Sequence, residues 1–253
     1  MKILIFDISG EFAHFRKFNT TSSPLTYTIP TRTAITGLLG AIVGFGREEF
    51  YQHFSKEKAS VAVQVISPIK KQGFGFNLIN TESPKENMFR IKNRTQVKFE
   101  FVTNPSYRIF LALKDKKLFD ELEDRIKRKS FNFQPYLGLA QLTSDVNFVA
   151  TVEASEVSAT EKVEIISALS MNRCKGENIE INPDFKYSSA IMPVEMIIDT
   201  EDTTVTPSPD GGLPKNRKTT EYAEVIYETT GKPITITVDS YIKVEGYGNI
   251  LFL

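Results

Sequence analysis

Apolar and polar positions follow a clear order along the first 150 residues. Ile3, Leu4, Ile5, Phe6 and Ile8 give a nearly continuous apolar run over 2–8, which predicts a strand buried on both faces. A polar, aromatic stretch from Ser9 to Ile29 follows, with His14, Phe15, Arg16, Phe18 and Tyr27. Pro30 ends it, and Thr31 or Thr33 is placed to cap a helix. Ala34, Ile35, Leu38, Leu39, Ile42 and Val43 form that helix's apolar stripe, with Gly44 or Gly46 as its stop. Gly37 and Gly40 inside it read as close helix packing, not as a phosphate cradle, because no Walker-type lysine follows. A short helix is expected over 48–54.

Val61, Val63 and Val65 alternate as a strand, as do Val97, Phe99 and Phe101, and residues 107–113 give another. Asp115 opens the clearest helix, with Leu118, Phe119, Leu122 and Ile126 on one face and its acids ahead of its bases. A strand at 148–152 follows a loop with Pro135 and Gly138. The order is β-α-β-β-α-β with an insertion and one strand in excess, which belongs either to the insertion or to a separate hairpin over 97–113, so the expected class is α+β. It is a ferredoxin-like domain over 1–155, followed by a smaller β-rich domain over 156–253. That second unit reads as strands at 163–169, 190–198, 222–227 and 234–244, with a loop at 200–220 that holds three prolines and two adjacent glycines.

Residues 67–95 stand apart. They are too polar for an independent core and hold Lys70, Lys71, Lys85, Arg90, Lys92, Arg94 and Gly73-Phe74-Gly75-Phe76. A projecting hairpin fits them best, its cations set against phosphates and its phenylalanines, spaced by glycines, set against single-stranded bases. Tyr107-Arg108 either extends that surface, or Arg108 pairs with an acid.

Charge sharpens this picture. Lys plus Arg and Asp plus Glu both number 31, but residues 1–130 carry 22 bases against 13 acids (+9) and residues 131–253 carry 9 against 18 (−9). One half is therefore suited to a polyanion and the other to solvent or protein. Hydrophobic residues at 41% and charged residues at 25% describe an ordinary soluble chain. No apolar run approaches ~18 residues, and an acid as early as Asp7 argues against a secretory signal. A cytoplasmic protein without membrane contact is expected. One cysteine, Cys174, and two histidines leave little for a zinc site, and the acids show no nuclease-like spacing. No metal, no cofactor and no catalytic residue are expected. The runner-up is a metal-independent endoribonuclease using His14 or His53, or a tyrosine with a lysine. A third alternative is a structural protein whose basic face meets an acidic protein.

Four stretches together carry a family resemblance: G-E-F-A-H-F-R at 10–16, Y-T-I-P-T-R-T-A-I-T-G-L-L-G-A-I-V-G at 27–44, N-P-S-Y-R-I-F at 104–110 and P-Y-L-G at 135–138. In order and spacing the chain resembles the CRISPR-associated "Cas five" family of the RAMP superfamily, nearest to its type I-B branch. These are Cascade subunits that cap the 5′ handle of the guide RNA (crRNA). The resemblance implies a ferredoxin-like domain with a long β-hairpin thumb, placed here at 67–95. It also implies contacts with the crRNA 5′ handle and with the Cascade backbone and large subunits, and with target DNA only through the assembled complex. It puts the stretch 10–16, with His14, Phe15 and Arg16, together with Arg32 and the loop around Gly138, where the family's RNA-facing groups fall. Lys70, Lys71, Phe74, Phe76, Arg90, Lys92, Arg94 and Arg108 join them as RNA-facing residues on their charge and aromatic character. A type I-C branch cuts precursor RNA with a tyrosine, a lysine and an adjacent histidine. This chain has no Lys-His pair, so the resemblance points to holding RNA and not to cutting it.

Overall fold

The computed structural model describes residues 1–20, 23–46, 48–79, 94–159, 161–174, 178–199 and 216–253. Strand β1 (Lys2–Ser9) is followed by three two-residue strands, β2 (Phe12–Ala13), β3 (Phe15–Arg16) and β4 (Thr26–Tyr27). Helix α1 (Arg32–Val43) and the single turn α2 (Phe50–His53) lead to β5 (Ala59–Val65). Then come β6 (Lys70–Ile79), β7 (Arg94–Thr103), β8 (Ser106–Leu113), α3 (Lys116–Arg128) and β9 (Asp145–Ser158). The rest is β10 (Lys162–Ile165), β11 (Leu169–Ser170), β12 (Tyr187–Asp199), β13 (Asn216–Glu228), β14 (Ile234–Thr237), β15 (Ser240–Val244) and β16 (Gly248–Ile250).

The helix ends obey their local chemistry. Thr31 is the N-cap of α1, its hydroxyl accepting from the Ala34 amide, and Gly44 closes the helix at φ 90° with its N–H on the Gly40 carbonyl. Asp115 caps α3 through the Lys117 and Leu118 amides. Gly40 lies so close to Phe50 that a Cβ there would stand 2.8 Å from the phenylalanine Cβ, which bears out close packing at Gly40, whereas a Cβ at Gly37 would meet Phe50 only at 3.9 Å.

One six-stranded sheet runs β16-β15-β9-β1-β8-β5, every neighbouring pair antiparallel. Because side chains alternate across a strand, Leu4, Phe6 and Ile8 face the helices while Ile3 and Ile5 face the other layer, and all five are buried. The core on the helix side includes α1, α3 and Met192, Val194, Ala223 and Val225 from the β12–β13 ribbon. Burying apolar side chains on both faces of these strands favours folding at about 25 cal/mol per Å2 of apolar surface removed from water.

Two expectations change, and the strand in excess of the ideal order finds its place. The division at 155 falls inside β9, and β15 and β16 join the first sheet through the β9–β15 pairing, because the C-terminal apolar strands need a partner to bury against. Val97, Phe99 and Phe101 belong to the return arm of the 67–95 insertion: β6 and β7 pair from Lys70↔Thr103 to Ile79↔Arg94. Residues 216–220, read as loop, continue β13 opposite β12; the remainder of that loop lies outside the described residues.

Candidate nucleic-acid interface

The Gly10–Ile29 stretch folds onto the P-Y-L-G loop. The His14 amide donates to the Leu137 carbonyl at 2.9 Å, and Gly138 adopts φ 94° directly over the same backbone. A Cβ at Gly138 would stand 2.0 Å from the His14 carbonyl oxygen, so only glycine permits this contact. The loop thereby displays Phe133 and Tyr136 beside Phe15 and Arg16. The N-terminal half of α1 forms the floor with Thr33, Ala34 and Gly37, and β12–β13 forms the far wall with Met196, Arg217 and Tyr222. The result is an open cleft of about 770 Å3.

Four large aromatics line this cleft and stay exposed: Phe18 (58%), Phe133 (57%), Tyr136 (45%) and Tyr222 (42%). Phe18 and Tyr222 meet across it, ring centroids 5.0 Å apart. Arg16 and Arg217 are exposed beside them. Among the described residues their guanidinium groups donate to the Thr20 carbonyl (3.3 Å) and the Tyr51 hydroxyl (3.4 Å) alone, and neither is in an ion pair there. Exposed rings beside unpaired guanidinium groups suit unstacked bases and a phosphate backbone.

The β6–β7 ribbon has two unlike faces. Phe74, Phe76, Phe99 and Phe101 form an aromatic cluster with Phe12 and the His14 ring. Phe74 is held edge-on against Phe12 (5.3 Å), whereas Phe76 keeps 40% exposure. The opposite face carries Lys71, Lys98 and Arg94, with Gly73 leaving room for the Lys98 stem, which a Cβ would meet at 2.8 Å. Lys71 is partly neutralised by Glu100 at 2.7 Å.

The thirteen residues singled out by sequence therefore divide. His14, Phe15, Arg16 and Gly138 come together at the cleft, but His14 and Phe15 are 1% and 5% exposed and support it from beneath, which corrects both as RNA-facing groups and leaves Arg16 to meet a ligand. Lys70, Lys71, Phe74, Phe76 and Arg94 lie on the ribbon. Arg90 and Lys92 lie outside the described residues. Two further expectations are corrected. Arg32 is 3% exposed, and its two terminal nitrogens are taken by Val194, Glu195, Phe54 and Ala59, so no phosphate reaches it. Arg108 forms a bidentate pair with Asp7 at 2.8 and 2.9 Å and lies over the Tyr247 ring, the acid-paired alternative. Reading by sequence missed Tyr222 and Arg217. They belong to the acidic half, about 200 residues from Phe18, and no local pattern marks them. Tyr136 was inside a motif already noted.

His14 is buried between Phe99 and Phe101, with Nδ1 2.8 Å from the Glu100 carbonyl. A carbonyl only accepts, so Nδ1 carries the proton and Nε2 is left without a partner among the described residues. Burial pushes the ring's pKa below its ordinary 6.5, opposed by that hydrogen bond. The unfolded chain then takes up this proton more readily than the folded one. Its contribution to stability is complete above pH 6.5 and is lost as pH falls below that value. Urea midpoints between pH 7.5 and 5.5 are expected to drop for the wild type and to flatten for His14→Gln; parallel profiles would refute a neutral buried imidazole.

Among the described residues no cluster of His, Cys, Asp or Glu is arranged to hold a metal ion, and no helix is long and apolar enough to cross a membrane.

Comparison with known proteins follows from this geometry. Among solved structures, a "CRISPR RNA-guided surveillance complex" chain is similar at TM-score 0.52 and 11% identity, with 91% of each chain covered. A "CRISPR protein from Archaeoglobus fulgidus" is similar at TM-score 0.53 and 10% identity, with 100% of each covered. At such identities these establish a shared fold. No curated protein matches the sequence. The family model described as CRISPR-associated protein (Cas_Cas5) matches residues 3–199, which takes in the elements from β1 to β12 and the β6–β7 ribbon, while Arg217 and Tyr222 of the far wall lie beyond the match. The chain belongs to the CRISPR-associated protein (Cas_Cas5) family.

Proposed function

We propose that this protein is a subunit of a Cascade-type CRISPR effector complex that holds the repeat-derived 5′ handle of crRNA without cutting it. The observation that carries this reading is the convergence on one open cleft of four exposed aromatics and two arginines that form no ion pair among the described residues. Single-stranded RNA is recognised by stacking splayed bases on such rings while cations meet the phosphates. The strand order β9-β1-β8-β5, with α1 and α3 as its crossovers, supports a ferredoxin-like domain. In this reading the β6–β7 ribbon serves as the thumb. In this reading the backbone subunit meets the ribbon, the large subunit meets the acidic half, and target DNA is reached only through the assembled complex.

Phosphate contacts fix where the handle lies, and the cleft decides which bases fit. Anisotropy of a labelled handle RNA across a salt series tests this. Arg16→Ala with Arg217→Ala is expected to weaken binding and to flatten the plot of log affinity against log salt by about 0.7 per arginine removed. An unchanged affinity and slope would refute the cleft as the RNA site. Incubation of the purified protein with repeat RNA in EDTA is expected to leave the RNA intact. A single specific cut, lost in His14→Gln, would establish the endoribonuclease instead.

A further inference from the structure

Beside the cleft, on the other side of the β3–β4 ribbon, lies a smaller pocket of about 240 Å3 between the base of β6 and the β12–β13 ribbon. We infer that it binds a single phosphate group of the RNA strand, an assignment that rests on the RNA-binding reading above.

Its donors come from four strands that only the fold brings together. Lys17 follows β3, Lys71 is the second residue of β6, and Ser188 and Thr229 stand at the near ends of β12 and β13. Ser188 pairs with Tyr227 in the β12–β13 register, so their side chains leave the ribbon on one face, and Thr229 continues that face two residues on. Tyr227 and Thr28 hydrogen-bond to each other through their hydroxyls, and the Tyr107 hydroxyl donates to the Thr28 carbonyl at 2.6 Å. That linkage makes a rigid floor.

What surrounds the floor is unspent. The hydroxyls of Ser188 and Thr229 make no hydrogen bond among the described residues. Lys17 is in no ion pair there either, its ammonium resting 5.8 Å from the Tyr27 ring centre. Lys71 is paired with Glu100, so two ammonium groups face one carboxylate and a positive charge is left over. The neighbouring Glu228 carboxylate is turned away onto the amides of Lys186, Thr230 and Lys232. A set of hydroxyl and ammonium donors around a net positive charge is the complement of a tetrahedral oxyanion. Lys71 also lines the shallow groove along the basic face of the ribbon, with Gly73 and Lys98. A strand following that face arrives at the pocket by its backbone.

The test is a scan of the handle RNA in which each phosphate in turn is replaced by an uncharged methylphosphonate. It is bound to the wild type and to the triple variant Lys17→Met, Ser188→Ala, Thr229→Val. Lys71 is left intact because its pairing with Glu100 holds the ribbon. One position is expected to lower wild-type affinity about tenfold, and the triple variant to bind unmodified RNA about tenfold more weakly with no further loss at that position. Wild-type affinity in the variant, or a uniform shallow loss across the scan, would overturn the pocket while leaving RNA binding itself in place. Should the variant not fold, the wild-type scan still decides between one strong position and none. If the wild type binds no RNA, line broadening of inorganic phosphate in 31P spectra separates the two claims. Broadening lost in the variant would keep the phosphate pocket and overturn RNA as its source, and no broadening would overturn both.

Discussion

Arg32→Met is expected to destabilise the protein by about 3–5 kcal/mol, the typical cost of removing one partner from a buried ion pair. Arg32 opens α1 almost fully buried. One terminal nitrogen donates to the Val194 carbonyl (3.2 Å) and the Glu195 carboxylate (3.0 Å), the other to the carbonyls of Phe54 (2.9 Å) and Ala59 (2.8 Å). Four chain segments are thus tied at one planar group. Burial draws its pKa down, and the facing Glu195 and Glu221 carboxylates oppose that. Methionine fills the volume but leaves three carbonyls and a carboxylate without their donors. Glu195 retains only the Lys56 amide at 2.8 Å. Arg32→Lys keeps the charge but loses the fork, so its urea midpoint should lie between those of the methionine variant and the wild type. At a temperature where Arg32→Lys is fully folded, its affinity for handle RNA should equal that of the wild type. A weakened affinity there would restore Arg32 to the RNA surface, and an unshifted midpoint in Arg32→Met would refute the strut.

The second large effect is on binding. Phe18→Ala with Tyr222→Ala should weaken handle RNA by roughly 2–6 kcal/mol if each ring stacks one base at about 1–3 kcal/mol. Both rings are exposed and bury little against the core, so the thermal midpoint should barely move. The salt slope should also stay as in the wild type, because no cation is removed. That pattern is the converse of the arginine variants, which lose slope as well as affinity. A Phe18→Tyr, Tyr222→Phe exchange keeps both ring faces and should retain affinity. Loss of affinity in the exchange would point to hydroxyl readout, and retention in the double alanine variant would refute stacking.

The correction at Arg32 shows where local reading stops. A basic residue at the start of a helix, next to a polar aromatic stretch, has the chemistry of a phosphate ligand. Whether it meets solvent or the β12 backbone depends on a strand some 160 residues away. Arg108 is the same case, decided by its place opposite Asp7 in the β1–β8 register. Gly138 goes the other way. Its motif was noted as a likeness alone, and the reason for glycine is the His14 carbonyl pressed against it.

The sequence alone determined what short-range physics controls. The apolar stripes and caps at Thr31 and Asp115 set α1 and α3, the continuous run at 2–8 set a doubly buried strand, and low apolar content marked the projecting insertion. Those features depend on neighbours within a turn or a pleat. Only the tertiary structure decided that β15 and β16 extend the first sheet, and that Tyr222 and Arg217 face Phe18 and Arg16. The same holds for Lys17 and Ser188 around one pocket. These juxtapositions rest on strand pairing and layer packing between residues far apart in the chain, where the favourable term is apolar area buried jointly and carries no signature in either segment by itself.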